Sequence, residues 1–78
     1  MIDELDTVVL TRAIESHDLE TGDVGTVVHV YDRGAAFEVE FVTAEGRMVA
    51  LLTLRANQIR PIGDGEILHV RELTATQP

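Results

Sequence analysis

The stretch from residue 24 to residue 42 reads Val24-Gly25-Thr26-Val27-Val28-His29-Val30-Tyr31, then Asp32-Arg33-Gly34-Ala35, then Ala36-Phe37-Glu38-Val39-Glu40-Phe41-Val42. Two runs rich in β-branched and aromatic residues flank a short segment of turn composition, the pattern of a β-hairpin. The second run alternates strictly: Phe37, Val39 and Phe41 share one side, Glu38 and Glu40 the other, because successive strand side chains point to opposite faces. With Arg33-Gly34 taken as a two-residue turn, Val30 faces Phe37, Val28 faces Val39 and Thr26 faces Phe41 on the core side. On the other side His29 faces Glu38, Val27 faces Glu40 and Tyr31 faces Ala36.

The pattern extends in both directions. Thr43-Ala44-Glu45-Gly46 turns the chain into a third strand, Arg47 to Thr53. With Glu45-Gly46 as the turn, Phe41 faces Ala50 and Val39 faces Leu52 in the core, while Val42 meets Val49 and Glu40 meets Leu51 outside. The predicted core is Val28, Val30, Phe37, Val39, Phe41 and Leu52. A bulge or a three-residue turn would flip part of this assignment. Upstream, Thr7-Val8-Val9-Leu10 reads as a first strand, and Thr11 to Thr21 as a folded-over loop anchored by Ala13, Ile14 and Leu19, or a one-turn helix around Ile14 to His17. Gly22-Asp23 marks a turn. Downstream, Leu54-Arg55-Ala56-Asn57 has the composition of a helical turn, and Gln58 to Ile62 that of a last short strand with Pro61 at its edge or end. The prediction is an all-β unit over residues 1–62, a small barrel or sheet roll of about five short strands. A C-terminal extension, residues 63–78, follows the spacer Gly63-Asp64-Gly65, and Thr74 to Pro78 reads as a frayed end.

This register leaves Val27, Tyr31, Val42, Val49 and Leu51 as an apolar strip outside the core, interrupted by Glu38 and Glu40. Such strips receive another part of the chain or a partner. Ile67, Leu68, Val70 and Leu73 of the extension are the candidates to cover it, on the same chain or on a second copy. Together these nine residues form the candidate interaction surface.

Composition narrows the function classes. The chain has 78 residues, with 14 acidic against 6 basic side chains and a net charge of -8. Every basic residue is arginine, and cysteine is absent. Thiolate metal sites and cysteine nucleophiles are therefore excluded. Nucleic acid and anionic membrane are poor general partners for so acidic a chain. No stretch has the length and apolarity of a membrane span, and the acidic start Met1-Ile2-Asp3-Glu4-Leu5-Asp6 is unlike a signal peptide, so a cytoplasmic protein is expected.

No constellation carries catalysis. His17, His29 and His69 lack the spacing of a metal-binding pair. Ser16 has no nucleophile elbow around it. Glu38 and Glu40 read as solvated strand acids, and the Asp3, Glu4, Asp6 cluster lacks the ordered ligand pattern of a calcium loop. No catalytic, metal or cofactor residue is predicted, and no cofactor. For nucleic-acid binding, the minor alternative, Arg55 and Arg60 with Tyr31 as a stacking ring are the residues to inspect.

Leu5-Asp6-Thr7-Val8-Val9-Leu10, Gly22-Asp23-Val24-Gly25-Thr26-Val27-Val28, the segment Tyr31 to Phe41-Val42 with its Glu40-Phe41-Val42 strand, and Asn57-Gln58-Ile59-Arg60-Pro61 carry a further signal. Together they resemble a family of small bacterial proteins known as domain of unknown function 4926, over Leu5 to Pro61. The resemblance implies an SH3-like barrel, similar in style to KOW segments and to the nitrile hydratase β-subunit barrel. It implies no catalytic residue. It implies that some members act as accessory or antitoxin-like partners of larger proteins. The combined expectation is an SH3-like barrel with a C-terminal extension, acting as a non-enzymatic protein-interaction module. Its partner would be another protein or a second copy. The alternative is a nucleic-acid-associated accessory protein on a KOW-like barrel.

Overall fold

The computed structural model describes residues 1–73; the predicted frayed end at Thr74 to Pro78 lies outside them. Among the described residues the strands are β1 (Thr7–Leu10), β2 (Val24–Tyr31), β3 (Ala36–Val42), β4 (Met48–Arg55) and β5 (Ile59–Pro61). Single 3-10 turns occupy Glu15–His17 and Ala56–Gln58. The strands form one antiparallel sheet in the order β4-β3-β2-β1-β5. The fold is all-β.

The sheet is open, which corrects the expected SH3-like barrel. Its outer strands are β4 and β5, and no ladder joins them. Closing a barrel needs an unbroken, staggered hydrogen-bond register around the ring. Here β4 runs straight into the 3-10 turn at Ala56–Gln58, so its end is not available to β5. The three residues of β5 spend their pairing on β1 and finish at Pro61, which has no N–H to give.

The two hairpins form in the predicted segments, but each turn is centred one residue earlier than expected, on Asp32-Arg33 instead of Arg33-Gly34 and on Ala44-Glu45 instead of Glu45-Gly46. Tyr31 pairs with Ala36, and the Tyr31 carbonyl accepts from Gly34 N–H at 2.9 Å and Ala35 N–H at 3.1 Å. Asp32 and Arg33 take positive φ of 46° and 57°, as the favoured hairpin turns require. At the second hairpin Thr43 N–H donates to Arg47 O at 2.8 Å, and Gly46 sits at φ 90°.

The register departs from expectation at two bulges. From Tyr31 back to His29 the pairing is as predicted, but it shifts between Val27 and His29, so Val27 meets Val39 and Thr26 meets Glu40. The extra residue, Val28, is displaced outward and 38% exposed, while Val27 is fully buried. Val27 therefore belongs to the core and not to the outer strip, and Val28 leaves the core. On β4 the pairs of Phe41 with Ala50, Glu40 with Leu51 and Val39 with Leu52 hold, but a shift beyond Phe41 sets Val42 against Met48 instead of Val49.

The buried cluster comprises Val8, Leu10, Leu19, Val27, Phe37, Val39, Phe41, Ala50, Leu54 and Ile59, with Val30 and Leu52 half-buried against it. The loop after β1 closes one side of it: an Ile14 to Leu19 bridge pinches the loop, Leu19 is buried, and Ile14 packs on the cluster. At Gly25 side chains of β3 pack directly against the β2 backbone. A Cβ there would stand 2.7 Å from Val39 Cγ1 and 2.8 Å from Phe41 Cε2, so only glycine fits.

Candidate interaction surface

Strand order determines which backbone is left to bind. The far side of β4 pairs with no strand among the described residues. Antiparallel residues alternate between facing the neighbour strand and facing away. Arg55 N–H turns away from β3 and is accepted by Gln58 Oε1 at 2.8 Å. By alternation Thr53 and Leu51 turn their N–H and C=O away from β3 as well, toward open solvent. Along this edge the sequence Met48-Val49-Ala50-Leu51-Leu52-Thr53-Leu54 carries no charge and no proline. Met48 and Leu51 are exposed, Leu52 is half-buried, and Ala50 and Leu54 face the core. Arg47 and Arg55 bracket the stretch, both exposed and neither in an ion pair among the described residues.

The outer face of the sheet is tied down by polar contacts. Glu38 Oε1 accepts from Thr53 Oγ1 at 2.6 Å and from Tyr31 OH at 3.2 Å, linking β2, β3 and β4. Desolvation, with the Glu38 charge and hydrogen bond, pushes the Tyr31 phenol above its ordinary pKa. The Tyr31 ring meets His29 edge-on, with centroids 4.6 Å apart.

The C-terminal segment is clasped first at β5 and then crosses to the loop before β2, its last described residues lining a groove with Val42 of β3 and Val49 of β4. Arg60 of β5 holds Glu66 through two hydrogen bonds, of 2.8 and 2.6 Å, and Gly63 N–H also donates to Glu66. The Arg60 hydrogen bonds, helped by the Gly63 N–H, hold the Glu66 carboxyl down at a pKa of about 2. Further on, the Arg71 guanidinium grips the Asp23 carboxylate, with Nε to Oδ1 at 2.9 Å and Nη2 to Oδ2, and donates to Asp18 O at 2.8 Å. Both side chains are largely buried, at 22% and 18% exposure. Asp23 also accepts from Glu20 N–H at 2.8 Å, the turn-capping role its position predicts. Partial burial pushes the Asp23 carboxyl up, but the Arg71 and Glu20 hydrogen bonds and the Arg71 charge outweigh it, leaving the pKa below its ordinary value.

Between this segment and the sheet lies a groove of about 620 Å³. Of the nine predicted surface residues it gathers five: Val42 and Val49 from the sheet, and Leu68, Val70 and Leu73 from the segment. Leu51 stands on the β4 edge strand and Tyr31 at the end of β2, outside the groove lining, and Val27 is in the core. Ile67 is almost wholly exposed. The apolar cover expected from the extension is thus slight, and its anchors are the charged residues Arg71 and Glu66. Sequence reading missed Arg71 as an anchor, as well as Met48, Arg47 and the free side of β4.

Tyr31 and Arg55 share a row across Ala36, whereas Arg60 lies on the opposite edge strand and is occupied by Glu66. Among the described residues no group of three or more His, Asp or Glu side chains is placed to hold a metal ion. No helix among them is long and apolar enough to cross a membrane.

A family model described as "Domain of unknown function (DUF4926)" matches residues 4–61. No curated protein and no solved structure matches the chain.

Proposed function

Since the chain belongs to the DUF4926 family, described only as a domain of unknown function, we propose a function from its own geometry: a non-enzymatic protein-interaction module that binds by strand addition. A segment of a partner protein lies along β4 in extended form and becomes the next strand of the sheet. The observation that carries this reading is the far side of β4, which pairs with no strand among the described residues and whose stretch Met48 to Leu54 holds no charge and no proline. Soluble proteins normally blunt such edges with charge, proline, bulges or a covering segment, because an open row of N–H and C=O groups templates pairing with another chain. Main-chain hydrogen bonds supply affinity in this mode, and alternate side chains supply specificity.

The competing reading, an accessory protein for nucleic acid, has less support. Phosphate binding needs clustered cations; Arg60 and Arg71 are bonded to carboxylates, and Arg47 and Arg55 stand at opposite ends of β4 in a chain of net charge -8.

The test is selection of a random peptide library against the full chain, followed by backbone amide exchange on the complexes. Binders that slow exchange at Leu51 and Thr53 and leave β5 unchanged are the expected result. A selection that yields no binder, or binders that protect another surface, overturns the reading.

A further inference from the structure

We infer that the groove between the C-terminal segment and the sheet takes a lysine- or arginine-bearing segment of a partner protein. The cationic side chain lays its alkyl stem on the apolar walls and turns its charged head to the groove's carboxylates. The inference goes beyond strand addition at β4 and does not depend on it.

The site is larger than one hollow. The groove of about 620 Å³ adjoins a second of about 410 Å³, and the two share Thr43, Arg47, Val49 and Leu73. Each volume falls in the range of about 300–1,000 Å³ typical of ligand sites. Val42 and Val49 line the groove from the sheet, beside the bulge that sets Val42 against Met48. Leu68, Val70 and Leu73 line it from the C-terminal segment, which the Arg71 to Asp23 contact holds in place. The groove thus has apolar residues on both sides.

Charge decides the occupant. Five acidic residues line the two hollows, against two arginines. Arg71 is already spent: its guanidinium grips Asp23, the Glu20 carboxylate stands 3.6 Å away, and the Asp18 charge acts on it as well. Glu15, Glu40 and Glu72 are in no ion pair among the described residues. With histidine counted as neutral, Arg47 is the one lining cation set against these three. Apolar walls with a surplus of carboxylates match lysine and arginine, whose methylene stems cover apolar surface while the charged head stays in water. The whole chain pulls the same way. Its net charge of -8 attracts a basic partner and repels an acidic partner, nucleic acid and a second copy alike.

The experiment uses the full chain at pH 8 and three labelled pentapeptides that share a central valine, flanked on both sides by Lys, by Gln or by Glu. Fluorescence anisotropy at low salt should rank them Lys over Gln over Glu, with about a tenfold spread between the extremes, as expected for two exposed ion pairs made or reversed. Added salt should shrink the spread. The double variant E40Q/E72Q should weaken the Lys peptide about threefold and leave the Gln peptide as it was. The double variant D32N/D64N removes the same charge from exposed positions outside the groove and should change neither. Amide NMR shifts on binding should gather at Thr43, Val49 and Leu68 to Leu73, and spare Leu51 and Thr53. Equal affinity for the three peptides, no binding by any of them, or equal losses in the two double variants overturns the inference. A Lys peptide that shifts only Leu51 and Thr53 overturns it too, and leaves strand addition standing.

Discussion

The sheet has two edges, and they are built differently. β4 offers eight residues, a row of backbone groups that no strand among the described residues pairs, and no proline. β5 offers three residues, ends at Pro61, and has its one charged side chain, Arg60, clamped to Glu66 of the following segment. The β5 edge is short and ends in proline, whereas the β4 edge is long and is interrupted only by the bulge at Val49 and the terminal Arg55. The closed barrel would have removed both edges; the open sheet leaves β4 as the longer of two outer strands.

The contrast concerns backbone, not core, and the largest expected effects test that. Leu54 on β4 and Ile59 on β5 are equally buried in the same cluster. Leu54→Ala and Ile59→Ala should each cost about 2–5 kcal/mol, the range for deleting a buried aliphatic side chain. Chemical denaturation measures both. If Leu54→Ala is near neutral while Ile59→Ala unfolds the chain, the end of β4 is not part of the folded unit, and its free edge loses its meaning.

The next effect belongs to the segment beyond β5. Arg71→Ala leaves Asp23 partly buried without its cation and Asp18 O without its donor. A hydrogen bond to a charged group contributes about 1.5–3 kcal/mol, so a loss of that order is expected. Amide exchange at residues 63–73 should rise sharply, while protection along β4 from Ala50 to Leu54, away from the groove the segment lines, stays as it was. Equal loosening of β4 would show that the two ends are not independent.

Much of this architecture is legible in the sequence. Phe37, Val39 and Phe41 alternate without ambiguity, and Asp32-Arg33-Gly34 and Gly46 mark turns, so both hairpins and most pairs of β3 with β4 follow. The bulge at Val28 does not. Val27 and Val28 are identical, so side-chain pattern alone cannot tell which enters the core; the close pass of Gly25 against Val39 and Phe41 belongs to a register that brings Val27 inward. Whether a sheet closes, and which strand ends at an edge, depends on strand order, which no single strand's pattern contains. Arg71 and Asp23 lie 48 positions apart, and neither reads as an anchor until the fold brings them together.

A smaller effect separates the edges by pH. The carboxyls that hold the C-terminal segment, Glu66 at about 2 and Asp23 below its ordinary value, both have folded pKa values under their unfolded ones. A depressed carboxyl contributes stability above its unfolded pKa and loses it as pH falls through the folded value. The segment beside β5 should therefore stay attached at pH 5 and detach as the pH falls from about 4.5 toward 2, with β4 pairing unchanged over the same steps. Carboxyl and amide NMR shifts of Glu66 and Asp23 follow this directly. Detachment above pH 5 would mean that the clasp is weaker than its geometry.

The smallest expected change in stability is the sharpest test of the comparison, because it gives β4 the feature that β5 already has. Leu51 is half-exposed, and its N–H points away from β3. Leu51→Pro removes that N–H without breaking a native hydrogen bond, which is the setting in which an edge strand tolerates proline. The lost freedom of the unfolded chain offsets part of the strain in fitting φ, so the net change should stay within about 1 kcal/mol. Leu51→Lys, a surface replacement, should stay within about 0.5 kcal/mol and guards against misfolding of the proline variant. Both should weaken strand addition at least tenfold, the proline by deleting a donor from the middle of the free row and the lysine by placing charge where an apolar contact is expected. Anisotropy with a labelled peptide from the library selection reads the loss, and denaturation reads the stability. If both variants fold and bind as the parent does, β4 is not the binding edge, and the difference between the two edges has no consequence for partners.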